Sequence, residues 1–132
     1  MKIDFHINYC GNCEEAFRFY QSIFGGELHL LSYKHSNSKR DLPEGWGDKI
    51  VHGSITIHNL NIAGADVFPE EYIRPQGFHL LLQIESKEEC RRLFDALSQQ
   101  GSTTMPLQET FWSQLYGIVV DQYGISWEIN FV

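Results

Sequence analysis

Two segments of the chain share one hydrophobic pattern. In each, apolar residues recur at intervals of three and four positions, which is the period of a half-buried helix. Each segment opens with a capping-box pair and is followed by glycine. The capping pairs are Asn12 with Glu15 and Ser86 with Glu89, and the glycines are Gly25, Gly26 and Gly101. The pattern predicts helices over residues 13–24 and 87–100.

Segments of alternating apolar and polar residues surround both predicted helices, and period-two alternation is typical of β-strands. One such segment precedes each helix and three follow it. The predicted strands cover residues 3–9, 27–33, 50–58 and 60–66, then 78–84, 102–108, 115–121 and 124–131. The chain is therefore predicted to be α+β, with a β-α-β-β-β unit that occurs twice.

A chain of 132 residues is long enough for one domain with its own core and too short for two independent domains. We expect module 1 at about 1–66, a linker at 67–77 and module 2 at about 78–132. A polar segment over 34–48 is predicted to be a loop, either a solvated connection or a mobile lid over a binding site.

The charge and composition of the chain exclude some classes of binding partner. The chain has 17 acidic and 10 basic residues and a net charge of −7, so its field repels nucleic acids and anionic membrane surfaces. We expect no nucleic-acid or membrane partner. Three cysteines make a poor disulfide framework, and no apolar block resembles a signal peptide. We therefore expect free thiols and a cytoplasmic location.

Local motifs narrow the family. The chain contains the strings Gly11-Asn12-Cys13-Glu14-Glu15-Ala16, Glu109-Thr110-Phe111-Trp112 and Gly124-x-x-Trp127-x-Ile129-Asn130. With the repeat, they resemble the PhnB-like branch of the vicinal oxygen chelate superfamily, which includes glyoxalases and fosfomycin- and bleomycin-resistance proteins. The resemblance implies two curved, half-open sheets that enclose a cavity, and a homodimer.

Some members of this branch carry the label of ubiquinone methyltransferases. A nucleotide-binding site of that kind needs a glycine-rich turn between a strand and a helix. The chain offers only Gly45-Trp46-Gly47, which lies in the predicted loop. The sequence therefore does not support a methyltransferase.

The resemblance also implies a metal site, because metal-using members take ligands from the first and last strands of each module. The matching ligand types are His6, His79 and Glu128, and these suit one divalent ion such as Zn, Mn, Fe or Ni. Counting from Gly53 as from Gly117 puts the fourth position at Gly64, which cannot bind a metal. Asp66 is a weaker substitute ligand. The alternative is that the histidines only line a cavity.

Further residues are candidates for the site. Glu128 and Glu109 are the predicted catalytic carboxylates, although Glu109 could instead hold the loop around Trp112. The predicted pocket walls are Trp112, Phe111, Tyr116 and His52. Cys10 and Cys13 have the spacing of a redox dithiol, but the repeat does not offer the fold context of such a motif.

Two functions follow from this set. The first is a divalent-metal-dependent enzyme that acts on a small molecule with vicinal oxygens by isomerase, thiol transferase or dioxygenase chemistry. The second is a metal-free protein of the bleomycin-resistance type that binds or sequesters a small molecule. A structural dimer with a filled cavity is a third possibility.

Overall fold

The computed structural model describes residues 1–38 and 40–132; Lys39, within the predicted loop, lies outside the described residues. The chain divides into two compact units, residues 1–73 and 74–132, and each is described by itself. Their boundary falls within the predicted linker 67–77, while the single domain stays a prediction. No helix among the described residues has the length and apolar character needed to cross a membrane.

The first unit has the predicted order of one strand, one helix and three strands. Its four strands form a mixed sheet in the order β1-β4-β3-β2, in which β1 runs parallel to β4 and the other pairs are antiparallel. The elements are β1 (Phe5–Tyr9), α1 (Cys13–Phe24), β2 (Glu27–Ser32), β3 (Ile50–Ile57) and β4 (Leu60–Asp66).

The second unit repeats this topology. Its sheet order is β5-β8-β7-β6, again with one parallel pair, β5 with β8. The elements are β5 (Leu80–Ile84), α2 (Lys87–Leu97), β6 (Ser102–Gln108), β7 (Tyr116–Val120) and β8 (Ser126–Phe131). The predicted α+β fold with two βαβββ units is confirmed.

One face of each sheet is covered by the helix of its own unit. Phe17 of α1 is fully buried, as are Val119 and Ile129 of the second sheet. A Cβ atom on Gly53 would lie 3.4 Å from the Phe17 ring, and one on Gly117 would lie 2.8 Å from the Phe94 ring of α2. The opposite face of each sheet, which we call the open face, carries the polar residues.

The two helices begin differently. Ser86 accepts a hydrogen bond from the Glu89 backbone N–H at 3.2 Å, so the predicted cap of α2 is confirmed. The predicted cap at Asn12 is wrong, because its side chain makes no capping hydrogen bond. Asp66 of β4 supplies the acceptor at this helix start instead. Its Oδ1 accepts hydrogen bonds from the backbone N–H groups of Gly11 at 2.8 Å and Cys13 at 3.0 Å.

The second helix also ends differently from the prediction. It stops at Leu97, before the predicted end at Gln100, and Gln100 itself adopts the left-handed conformation with φ 57°. Gly101 is required for another reason. A Cβ atom there would lie 2.3 Å from the carbonyl oxygen of Val120, so only glycine lets the chain pass this strand.

The described part of the loop 34–48 is anchored by aromatic residues. Trp46 packs edge-on against Phe68 at 5.1 Å and against Tyr33 at 6.1 Å between ring centroids. The Arg40 guanidinium lies 4.2 Å from the centre of the Phe68 ring and pairs with Glu71. These contacts fix the loop to the end of the first unit. Of the two alternatives, they favour a packed connection and not a mobile lid.

Candidate functional site: the open face of the second sheet

Strand β8 separates its residues between the two faces of the second sheet. Trp127 and Ile129 are 2% and 0% exposed and face α2, whereas Ser126, Glu128 and Asn130 alternate with them and are half-buried on the open face. This division matches the prediction from the sequence. Each of the three polar residues is hydrogen-bonded to a side chain of another strand or of the segment before β5.

Glu128 is held by a tyrosine. The Tyr116 hydroxyl, on β7, donates a hydrogen bond to Glu128 Oε1. This bond stabilises the neutral phenol and, with burial, raises the pKa of Tyr116 to about 12. At neutral pH Tyr116 is therefore a fixed donor that orients the Glu128 carboxylate, and Glu128 Oε2 is left for other partners.

His79 precedes β5 and meets β8 at its first residue. Its Nδ1 lies 2.6 Å from the Ser126 hydroxyl oxygen, so Nε2 is the ring atom left for a ligand. Both residues line a cleft of about 300 Å³ within the second unit. The cleft is lined by polar side chains including Arg74, Gln76, His79, Thr104 and Ser126.

A third polar pair lies at the other end of β8. The Asn130 amide donates to Gln83 Oε1 at 3.1 Å, while Asn130 Oδ1 is buried and has no hydrogen-bond partner in the described part of the chain. Three polar cross-strand pairs thus follow one another along β8. The open face of the second sheet therefore carries a row of polar residues along β8, flanked by Leu81 and Ile118.

The open face of the first sheet is simpler. The Nε2 atom of His6 is 2.9 Å from Asn8 Oδ1 on the same strand, and both residues are exposed. On β4 the residues of this face include Ala63 and Ala65, which have no polar side chain. His52 of β3 is also exposed. The same face also carries His29, whose Nε2 lies 2.9 Å from Glu27 Oε1, so the carboxylate of this face lies on the edge strand β2 and not on β4.

The strand registers correct the predicted fourth ligand position. Gly53 pairs with Gly64 eleven residues later, but Gly117 pairs with Ile129 twelve residues later, so the second hairpin has one residue more between its paired positions. A one-residue slip moves a side chain to the other face of a sheet. Gly64 therefore corresponds to Ile129 and faces α1, and the counterpart of Glu128 is Ala63.

The same registers also show which residue of the second unit corresponds to His6. His6 pairs with Ala63, and Glu128 pairs with Leu81. The counterpart of His6 is therefore Leu81, and His79 lies two residues earlier on the same face. The two histidines do not occupy equivalent positions, contrary to the match drawn from the sequence.

The metal prediction can be set against this geometry within each unit. Among the described residues, neither unit by itself assembles three histidine, cysteine, aspartate or glutamate side chains that could hold a metal ion. His79 and Glu128 lie on one face of the second sheet. His79 Nδ1 and Glu128 Oε1 are each hydrogen-bonded to a neighbour, which leaves His79 Nε2 and Glu128 Oε2 for a ligand. The set of His6, His79 and Glu128 stays a prediction.

Asp66 is a structural residue and not a substitute ligand. It is 1% exposed and faces α1, where Oδ1 accepts from Gly11 and Cys13 and Oδ2 accepts from the Ile50 N–H at 2.8 Å. Burial raises the pKa of the Cys13 thiol far above its ordinary value, and the Asp66 carboxylate adds to this effect. Cys13 is therefore an inert core residue, and the cysteine pair carries no redox site.

The predicted aromatic residues separate into two groups. Tyr116 is 9% exposed, whereas Phe111 and Trp112 in the loop before β7 are 97% and 53% exposed. Glu109, at the start of this loop, is also exposed. None of these residues lines the cleft beside His79, so their roles as pocket walls and catalytic acid stay predictions.

Arg74 is one of the cleft residues that the sequence did not single out. It lies in the predicted linker, where no periodic pattern marks a functional residue. No other signal in the sequence distinguishes it, because lysines also stand close to histidines at Lys34-His35 and at Lys49 and His52.

The repeated fold and its open polar face define the class of protein. Over 100% of this chain and 93% of the other, the structure is similar to the fosfomycin resistance protein FosX from Listeria monocytogenes, with a TM-score of 0.67 at 14% identity. At this identity the similarity concerns the fold. The chain has the fold of the glyoxalase, or vicinal oxygen chelate, superfamily.

The sequence comparisons define the family within this class. The chain belongs to the PhnB-like family whose model, described as 3-demethylubiquinone-9 3-methyltransferase, matches residues 1–130. It is 32% identical to protein YjdN of Escherichia coli K12 over all of this chain and 96% of that protein.

Two solved structures support the same assignment. Protein PA1353 from Pseudomonas aeruginosa is 34% identical, with a TM-score of 0.87 over 99% of this chain and 97% of the other. A Bacillus cereus protein described as a putative 3-demethylubiquinone-9 3-methyltransferase, PhnB protein, is 26% identical, with a TM-score of 0.82 over both full chains. The predicted family is confirmed.

Proposed function

We propose that this protein binds a small anionic molecule with vicinal oxygens in the cleft of the second unit. The observation that carries the proposal is the cleft itself, about 300 Å³ in volume and lined by Arg74, His79, Thr104 and Ser126. A volume of this size is at the lower end of the range for small-molecule sites. The lining supplies several hydrogen-bond donors beside one guanidinium.

Arg74 suits two neighbouring oxygens. It is exposed, and no acidic side chain in the described part of the chain forms a salt bridge with it. A guanidinium presents two parallel N–H groups that match a pair of oxygen atoms. The His79 Nε2 atom and the Thr104 hydroxyl add donors on other walls of the cleft. A compact dianion with adjacent oxygens complements this arrangement.

A second candidate is the metal-dependent enzyme, which the oriented donors of His79 and Glu128 favour. Metal-bound histidines commonly bond through their second nitrogen to an outer partner, as His79 does with Ser126, and ligating carboxylates are likewise oriented. With His6 as the third ligand, these residues would hold one divalent ion. The ion would polarise the vicinal oxygens of a substrate for isomerase, thiol transferase or dioxygenase chemistry.

Calorimetric titration with oxalate separates the two candidates. Metal-free protein, prepared with a chelator and without a histidine tag, is titrated first, and the titration is repeated with Zn²⁺ or Mn²⁺ present. The binding proposal predicts saturable binding without metal that Arg74→Gln weakens by about tenfold or more, since a charge-assisted bidentate pair is lost. Arg91→Gln, on the exposed surface of α2, is the matched control.

The other outcomes are equally informative. Binding of oxalate only in the presence of metal, lost in both His79→Gln and Glu128→Gln, would establish the enzyme candidate instead. No binding under either condition, or equal binding by Arg74→Gln and Arg91→Gln, would refute the cleft as the site.

The homodimer and the cytoplasmic location are proposals on other grounds. The dimer rests on the family resemblance and predicts a sedimenting mass of about twice the 15.3 kDa of one chain; a monomer at all micromolar concentrations contradicts it. The cytoplasmic location is supported by the three cysteines, which are all free.

A further inference from the structure

Three aromatic residues form a continuous wall at the end of the second sheet remote from the cleft. The Phe111 and Trp112 rings pack edge to face at 4.7 Å, and Trp112 packs edge to face on Tyr116 at 5.3 Å. Phe111 and Trp112 are largely exposed, and Tyr116 is buried. Two large aromatic side chains exposed side by side indicate a surface that meets a ligand. We call Phe111, Trp112 and Tyr116 the aromatic wall.

A carboxylate adjoins this wall. Glu128 accepts the hydrogen bond of the Tyr116 hydroxyl, so the wall and the negative charge are joined through one side chain. In the described part of the chain, no lysine or arginine forms a salt bridge with Glu128. The half-buried carboxylate of Glu128 therefore has no salt-bridge partner among the described residues.

Among the described residues, no lysine or arginine lies over the faces of the aromatic wall either. The cation–π contacts of the described residues are those of Arg40 with Phe68 and of Lys87 with Phe131, and neither involves the wall. Aromatic ring faces carry partial negative charge and attract cations, most strongly when the ring is tryptophan. The wall and Glu128 together thus make a site of negative potential with an apolar surface.

We propose that the aromatic wall and Glu128 bind an organic cation, in particular an alkylated ammonium group. Such a cation is weakly hydrated and presents alkyl groups to the rings while its charge faces the carboxylate. A metal ion does not suit the wall, because indole and phenyl faces offer no lone-pair donors. None of the four residues lines the cleft beside His79, so this site is independent of the anion proposed there.

Choline and 3,3-dimethylbutan-1-ol test the proposal as a matched pair, since the alcohol has the same alkyl shape without the charge. Saturation-transfer NMR on the methyl protons of each ligand gives their affinities for the full chain. Choline is expected to bind at least about tenfold more tightly than the alcohol. Equal affinities, or no saturable signal with choline, would overturn the proposal.

Substitutions test which residues contribute to choline binding. Trp112→Ala and Glu128→Gln are each expected to weaken choline binding by about tenfold, and Trp112→Phe is expected to retain most of it because a ring remains. Glu88→Gln, an equal charge change at an exposed position on α2, is the control. Amide spectra show that each variant is folded. If Glu128→Gln binds choline as the parent protein does, the carboxylate has no part in the site and the proposal fails.

The oxalate and choline experiments fail separately. Loss of choline binding leaves the Arg74 titration unaffected, because the two sites share no side chain. Conversely, a negative oxalate titration does not predict any change in the choline signal.

Discussion

The last strands of the two units, β4 and β8, occupy the same place in their sheets and run parallel to the first strand of their unit. Toward the helix both strands are closely packed. On the open face they differ, since β4 presents Ala63 where β8 presents Glu128 with its Tyr116 partner. The repeat thus keeps the packing toward the helix, whereas of the two last strands β8 alone presents a carboxylate on the open face.

The two units also differ in the part of the fold that their buried carboxylate stabilises. In the first unit Asp66 joins β4 to the start of α1 and to β3. In the second unit Asp121 accepts from the N–H groups of Tyr123 and Ile125 and from the indole N–H of Trp127 at 2.9 Å, and so fixes the turn before β8. Both are structural, which leaves Glu128 as the half-buried carboxylate of β8 available to a ligand.

Removing the Asp66 carboxylate is expected to have the largest effect on stability. Asp66→Ala leaves the backbone N–H groups of Gly11, Cys13 and Ile50 without their acceptor, and each unpaired buried donor costs about 1–3 kcal/mol. The free energy of unfolding, measured with urea, should fall by about 4 kcal/mol. Asp4→Ala, at an exposed position, is the control, and a similar small loss in both variants would refute the structural role of Asp66.

The register correction predicts the next largest effect. In Gly64→Ala the new Cβ would lie 2.6 Å from the Phe17 ring and 3.1 Å from the Ile7 carbonyl oxygen, and overpacking of this kind costs about 1–3 kcal/mol. Ala63→Ser, on the open face, should change stability by less than about 0.5 kcal/mol. If urea unfolding ranks these two variants in the opposite order, Gly64 faces the open side after all.

The different caps of the two helices predict a smaller difference in stability. Ser86→Ala removes a capping acceptor and is expected to lower the free energy of unfolding by about 1 kcal/mol. Asn12→Ala should have little effect, because Asp66 supplies the acceptor at the start of α1. Thermal unfolding of the two variants side by side checks this, and a greater loss for Asn12→Ala contradicts it.

The bond between Tyr116 and Glu128 has its effect at high pH. Because the folded pKa of about 12 lies above the ordinary value of 10.0, this group stabilises the fold fully below pH 10 and the contribution is lost as the pH rises through about 12. Glu128→Gln should lower the pKa of Tyr116 toward its ordinary value. A tyrosinate absorbance titration, with Tyr116→Phe to identify the signal, measures the shift; an unchanged titration excludes the bond.

Much of the fold could be predicted because it depends on periodicity. The succession of strands and helices along the chain, the two units and the bounds of α1 follow from patterns with periods of two and 3.6 residues. The position of Gly64 could not be derived in this way, since it depends on the length of the turn between β7 and β8. A single residue in that turn reverses the face on which a side chain lies.

The site could be predicted only in part. The polar face of β8, with Glu128, follows from alternation. The hydrogen bonds of Tyr116 and His79 do not, because they join residues of different strands whose register is set by tertiary packing. Arg74 lies outside any periodic segment and enters the cleft only through the path of the chain into β5.

An amide NMR titration of the metal-free protein with oxalate tests most directly whether the second unit carries the binding site. The account predicts saturable shifts that concentrate on residues around the cleft, in particular Gly77, His79, Thr104, Gly124 and Ser126, with the β4 amides of the first unit unaffected. Shifts centred on β1 and β4, around His6 and Ala63, would contradict it.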